Sequence, residues 1–160
     1  LYNHPKVKSM VSHTKGEGFG RPLLEFSLIG KPIIASGWSG QLDFLHKDYT
    51  ALCGGKLSTL DKSSEVKGML IEGSQWFDID HNYVNHYYHD IINNYDVWLE
   101  KAKNQSKISK KEYCFDKMSQ RIEEILDKNT PELPKKMELK LPGIDKIKMP
   151  KKENKLKIVK

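Results

Sequence analysis

Apolar and polar residues alternate over 6–12 (KVKSMVS), a period of two that predicts a strand. A glycine-rich loop follows over 13–20 (HTKGEGFG). Pro22 suits a first helical turn, and Leu23, Leu24, Phe26, Leu28 and Ile29 make the next helix apolar over most of its surface. Such a helix should be buried, and Gly30 is its stop signal. Residues 32–36 (PIIAS) form a short β-branched run of the kind that fills buried parallel strands. A second glycine loop covers 37–40 (GWSG), and 50–53 (TALC) is a third strand candidate.

Beyond a loop expected to run to about residue 77, the pattern turns helical. Asp80 is placed to cap a helix reaching about Asn93, with Val84, Tyr87, Tyr88, Ile91 and Ile92 on its apolar stripe. A further helix is expected over 97–105. A last one is capped by Asp116, with Met118, Ile122, Ile125 and Leu126 expected to face inward. The order predicts an α/β fold, part of a Rossmann-like domain with parallel strands and a helical C-terminal part. Three strands are too few for a complete doubly wound sheet, and the chain begins at Leu1. An N-terminal part is therefore expected to be missing.

Composition agrees with a folded core, at 38% hydrophobic and 9% aromatic residues. Charge divides the 160 residues in two. Residues 1–128 hold 17 basic and 17 acidic side chains, whereas 129–160 hold ten Lys against four acidic residues. The whole surplus of +6 lies in this tail, where Pro134, Pro142 and Pro150 recur every eight residues. Proline at that period interrupts helices and lysine dilutes any apolar face, so an extended or disordered appendage is expected. It is either a polybasic arm for an anionic membrane surface or a solvated tail with no dedicated partner. Its lack of aromatics argues against nucleic acid. No apolar run approaches the roughly 18 residues of a membrane span. There is no secretion-signal pattern, and Cys53 and Cys114 fit no metal or redox spacing. A reducing cytoplasmic setting is expected, with a peripheral membrane position through the tail as its variant.

Both glycine loops directly follow predicted parallel strands. In open α/β sheets ligands bind outside the carboxyl ends of strands, which puts the two loops at one sheet edge. The first loop also opens a helix, so the backbone N–H groups of Gly18, Phe19 and Gly20 suit a phosphate. Glu17 and Glu25 frame it. A carboxylate accepts two hydrogen bonds side by side, which matches the vicinal hydroxyls of a sugar or ribose. A phosphate between two polyols is a nucleotide sugar. The loop is GxGxG, one residue short of GxGxxG, and it leads into an apolar helix, unlike a kinase loop. By itself it is a weak signal.

The segment EGFGRPLLE, Glu17 to Glu25, resembles the E-x7-E motif of retaining glycosyltransferases of the GT-B fold, the group-1 or family-4 type. The resemblance covers about residues 4–45 and leaves 129–160 outside it. It implies that residues 1–128 are part of the C-terminal donor-binding domain of a hexosyltransferase. Such an enzyme transfers sugar from a nucleoside-diphosphate sugar with retention, and needs no metal or other cofactor. Glu17 would be the catalytic residue on the donor sugar's hydroxyls. Gly18, Phe19 and Gly20 would offer backbone contacts to sugar and phosphate, and Leu24 its N–H near the nucleotide. Glu25 would hold the ribose. The acceptor, whether glycan, lipid or protein, would meet the missing N-terminal domain, so this chain would be inactive alone. The second loop, GWSGQLD, departs from the family's glycine-rich segment ending in Glu, leaving Ser39 and Asp43 without an assigned role.

Several flanking residues keep two readings. Lys15 and Arg21 are phosphate ligands or surface charges. His13 lines the donor site or packs in a turn. Trp38 stacks on a base or shields the loop. His81, His86 and His89 crowd one helix without a complete metal-ligand set. Two other readings stay open: a nucleotide-sugar epimerase or glycan phosphorylase on the same scaffold, and a non-catalytic module recruited by its tail.

Overall fold

The computed structural model describes residues 1–70 and 72–131. The expectations for the tail beyond Pro131 lie outside the described residues. Three strands, β1 (Met10–Ser12), β2 (Ile33–Ser36) and β3 (Ala51–Cys53), form a parallel sheet in the order β1-β2-β3. Met10 pairs with Ile33, and Ile34 with Ala51. The helix α1 (Arg21–Ser27) connects β1 to β2. The architecture is α/β, with a parallel three-stranded sheet and four helices, compatible with part of a Rossmann-like domain.

Strand β2 is buried along its whole length, and the pleat explains how one strand serves two cores. Ile33 and Ala35 pack on one face with Leu23 and Phe26 of α1 and with Phe44 and Leu45. Ile34 packs on the other face with Ala51, Cys53 and residues of two later helices, α2 (His81–Asn93) and α3 (Tyr95–Glu112). Val84, Ile91 and Trp98 are their contribution. Asp80 caps α2 as expected, its carboxylate accepting from the Asn82 N–H at 2.9 Å.

The contact between α1 and α3 is polar. Ser27 Oγ lies 2.8 Å from Ser109 Oγ, and Ser106 Oγ donates to Leu28 O at 2.7 Å. Gln105 Nε2 donates to Phe44 O at 2.6 Å, while its Oε1 accepts from the His46 N–H at 2.8 Å. Gln105, Ser106 and Ser109 are all buried. That is why α3 extends well past the expected 97–105: its second half buries hydroxyls and an amide, which read as surface residues in an apolar pattern.

Three other expectations are corrected. The first strand is shorter than 6–12, because residues before Met10 form turns, with Val7 N–H donating to His4 O. The loop expected to reach residue 77 contains two antiparallel strands, β4 (Gly55–Thr59) and β5 (Gln75–Ile79). Neither strand carries a clean apolar alternation, and β4 begins with glycine, so no period marks them. The last helix, α4 (Phe115–Asn129), has Cys114 at its N-cap position, with no capping hydrogen bond from that side chain, and Asp116 lies inside its first turn. Its apolar residues do not face inward. Met118, Ile122, Ile125 and Leu126 are each more than half exposed, and no residue of α4 is buried. On α2, Ile92 also points outward at 73% exposure. No described helix is long and apolar enough to cross a membrane.

Candidate functional site

The parallel sheet brings both glycine loops to the carboxyl ends of β1 and β2, and a web of hydrogen bonds joins them. Ser39 Oγ accepts from the Glu17 N–H at 3.2 Å and donates to Glu17 O. The Gly40 N–H donates to the same carbonyl at 3.2 Å. One layer below, Ser36 Oγ donates to Thr14 O at 2.9 Å, and the buried Gln41 amide donates to Ser36. A Cβ on Gly40 would overlap Gly18 O, so only glycine lets the loops touch this closely. Ser39 adopts a φ of 77°, a left-handed conformation that costs backbone energy in a residue other than glycine. The hydrogen bonds to Glu17 hold it there.

Glu17 is half-buried, its backbone clamped by the second loop and its side chain lying over Gly20. Gly20 has a φ of 84°, the turn that swings the chain from the loop into α1. Among the described residues, the N–H groups of Gly18, Phe19 and Gly20 have no backbone acceptor. These are the donors expected from the sequence to face a phosphate. The Leu24 N–H is different: it donates to Gly20 O at 3.2 Å, so the free donor expected there is committed to the helix. Leu24 itself packs against the core. Glu25 sits one turn into α1, exposed, and its carboxylate lies 3.1 Å from Arg21 Nε. Arg21 therefore faces a carboxylate. An exposed i,i+4 pair is worth only about 0.3–0.5 kcal/mol, so it opens at little cost.

Two aromatic residues close the flanks. Phe19 is 41% exposed and packs on Phe44 and Tyr113, with ring centroids 5.2 and 6.2 Å away. Trp38 stacks face to face on Phe77 of β5, at 5.8 Å and 9° between ring planes. One indole face thus shields the loop, while 40% of the residue stays exposed.

The β4–β5 pair is the part of the site that the sequence pattern hides. The Phe77 N–H donates to Lys15 O at 2.8 Å, which ties the first glycine loop to β5. Lys15 Nζ lies 3.2 Å from Asp78 Oδ1 and 3.5 Å from the centre of the Trp76 ring. Lys15 is thus held by β5 and not directed at the Gly18–Gly20 N–H groups. Asp78 is kept below the usual carboxylate range, first by a hydrogen bond with Ser58 and then by Lys15. His13 is exposed at the end of β1, edge-on to Tyr88 at 6.3 Å. Partial covering of its ring, and after it the nearby His81, lower its pKa.

Sequence reasoning missed Ser39, Gln41, Phe77 and Asp78. A hydroxyl between Trp38 and Gly40 in the second loop is the one signal that pointed to Ser39. The others follow from tertiary placement alone. Among the described residues no group of three or more His, Cys, Asp or Glu is placed to hold a metal ion. Comparisons with family models, with curated proteins and with solved structures give no match to this chain.

Proposed function

We propose that residues 1–128 are the donor-binding part of a retaining glycosyltransferase of the GT-B fold, acting on a nucleoside-diphosphate sugar. The observation that supports this reading is the meeting of both glycine loops at the carboxyl ends of β1 and β2, where the Gly18, Phe19 and Gly20 N–H groups lie unpaired between Glu17 and Glu25. In this reading those N–H groups take the diphosphate oxygens, where negative charge grows as the sugar departs. Ser39 and Gly40 hold the backbone of Glu17 immediately before these donors, so in this reading little reorganisation accompanies the reaction. Glu17 accepts hydrogen bonds from the donor sugar's hydroxyls. Glu25 leaves Arg21 and accepts from the vicinal ribose hydroxyls. The exposed face of Trp38 borders the donor.

Isothermal titration of the full chain with uridine and guanosine diphosphate sugars tests the assignment. Loss of a charged hydrogen-bond acceptor costs about 1.5–3 kcal/mol, so Glu25→Ala should bind at least about tenfold more weakly. Equal affinity of Glu25→Ala and the unaltered chain would remove Glu25 from the site. Failure of every nucleotide sugar to bind, with the fold intact by circular dichroism, would remove the function.

A further inference from the structure

A cavity of about 360 Å³ opens beside the end of β1, between β5 and the first turn of α2. Its walls are apolar: Phe77 and Val84 are almost fully buried, and Ile79 is half-buried. Into it face His13 from the end of β1, Lys15 from the glycine loop, Asp78 from β5 and His81 from the start of α2. Four nitrogen-bearing or carboxylate groups on an apolar floor need charge balance. Lys15 and Asp78 balance each other at 3.2 Å. Asp80, next to His81 in the chain, accepts from the Asn82 N–H through one carboxylate oxygen and keeps its negative charge. The phenol of Tyr88 is neutral and meets His13 through its ring edge. Among the described residues neither imidazole is held in an ion pair.

What acts on His13 is burial and the like charge of His81, with no hydrogen bond among the causes. A charge on His81 disfavours the protonated form of His13 in the free protein. An anion between them reverses that sign, and an apolar wall strengthens its attraction to both. The positive end of the 13-residue α2 adds to the same field.

We propose that this cavity is a second anion site, in which His13 and His81 as imidazolium ions hold the dianionic phosphate group of a small phosphate ester. The site is independent of the glycosyltransferase reading and uses neither Glu17 nor Glu25. Binding takes up protons, because an anion beside an imidazole favours its charged form. Affinity therefore climbs as pH falls through neutrality and levels off once His13 is protonated in the free protein.

Sulfate is the first probe, since it stays doubly charged from pH 8 to 5.5. Titration of the full chain at constant ionic strength should show at least about tenfold tighter sulfate binding at pH 5.5 than at pH 8, the effect of one pK unit of coupling. Imidazole resonances of His13 and His81 should move on addition of sulfate, and glucose 1-phosphate should displace it. His13→Gln and His81→Gln should each lose most of the pH dependence while keeping the circular dichroism spectrum of the unaltered chain. The proposal is overturned by pH-independent sulfate binding, by sulfate shifts confined to other histidines, by both Gln variants binding as the unaltered chain does, or by glucose 1-phosphate failing to compete.

Discussion

At the scale of single residues, three glycines of the first site separate into two kinds. A Cβ at Gly18 would meet open space, whereas one at Gly40 would collide with Gly18 O, and Gly20 holds a φ of 84°. Gly18→Ala should therefore change folding stability by less than about 0.5 kcal/mol. Gly20→Ala should cost about 1–2 kcal/mol for the left-handed backbone, and Gly40→Ala about 1–3 kcal/mol for the forced separation of the loops. Urea midpoints of the three variants check this ranking, and a Gly18→Ala as damaging as Gly40→Ala would contradict it. The glycines themselves were legible in the sequence. Which of them is required was not, because the demand on Gly40 comes from a carbonyl 22 positions away. Cys53 offers a second test at this scale. Burial pushes its thiol up to about 11, against an ordinary 9.0. Between those values the unfolded chain gives up its proton and the folded one keeps it, so this thiol's contribution to stability is lost as pH rises from about 9 to 11. At pH 8 an alkylating reagent should label the half-exposed Cys114 long before Cys53.

At the scale of elements, polarity misleads in both directions. The hydroxyls and amide of α3 look solvated in the sequence yet form its buried contact with α1 and the segment around Phe44. Gln105→Ala strands the Phe44 carbonyl and the His46 N–H, and should cost about 2–4 kcal/mol by denaturant unfolding. The apolar stripe of α4 is the converse case. Its 3.6-residue period is clear, but a period marks a face and does not say what covers it. Ile122→Gln should shift stability by no more than about 0.5 kcal/mol, because Ile122 is already 53% exposed. The β4–β5 pair escaped notice because its best packing residue, Phe77, earns its place by stacking on Trp38 and not by any local repeat.

At the scale of the whole molecule, the parallel sheet is sandwiched. Adjacent residues of β2 feed opposite cores, so Ile33→Ala and Ile34→Ala should each cost about 2–4 kcal/mol. A sheet with one solvated face would give one large and one small effect, and thermal unfolding distinguishes the two patterns. This layering was readable, since an uninterrupted β-branched run between a buried helix and a glycine loop has few other homes. The edge of the sheet that carries both loops was readable for the same reason. The closing wall of β5 was not, since nothing local links residue 77 to residue 15.

That wall has a consequence in time. The first glycine loop takes its shape from Ser39 and Gly40 on one side and from Phe77 on the other. All three leave the ribosome after it. A nascent chain that has emerged only as far as β3 holds both loops but lacks the residue that clamps Lys15. The backbone of the first glycine loop is thus written early in the chain and finished late, once the 62 residues from Lys15 to Phe77 have been made and folded back over it.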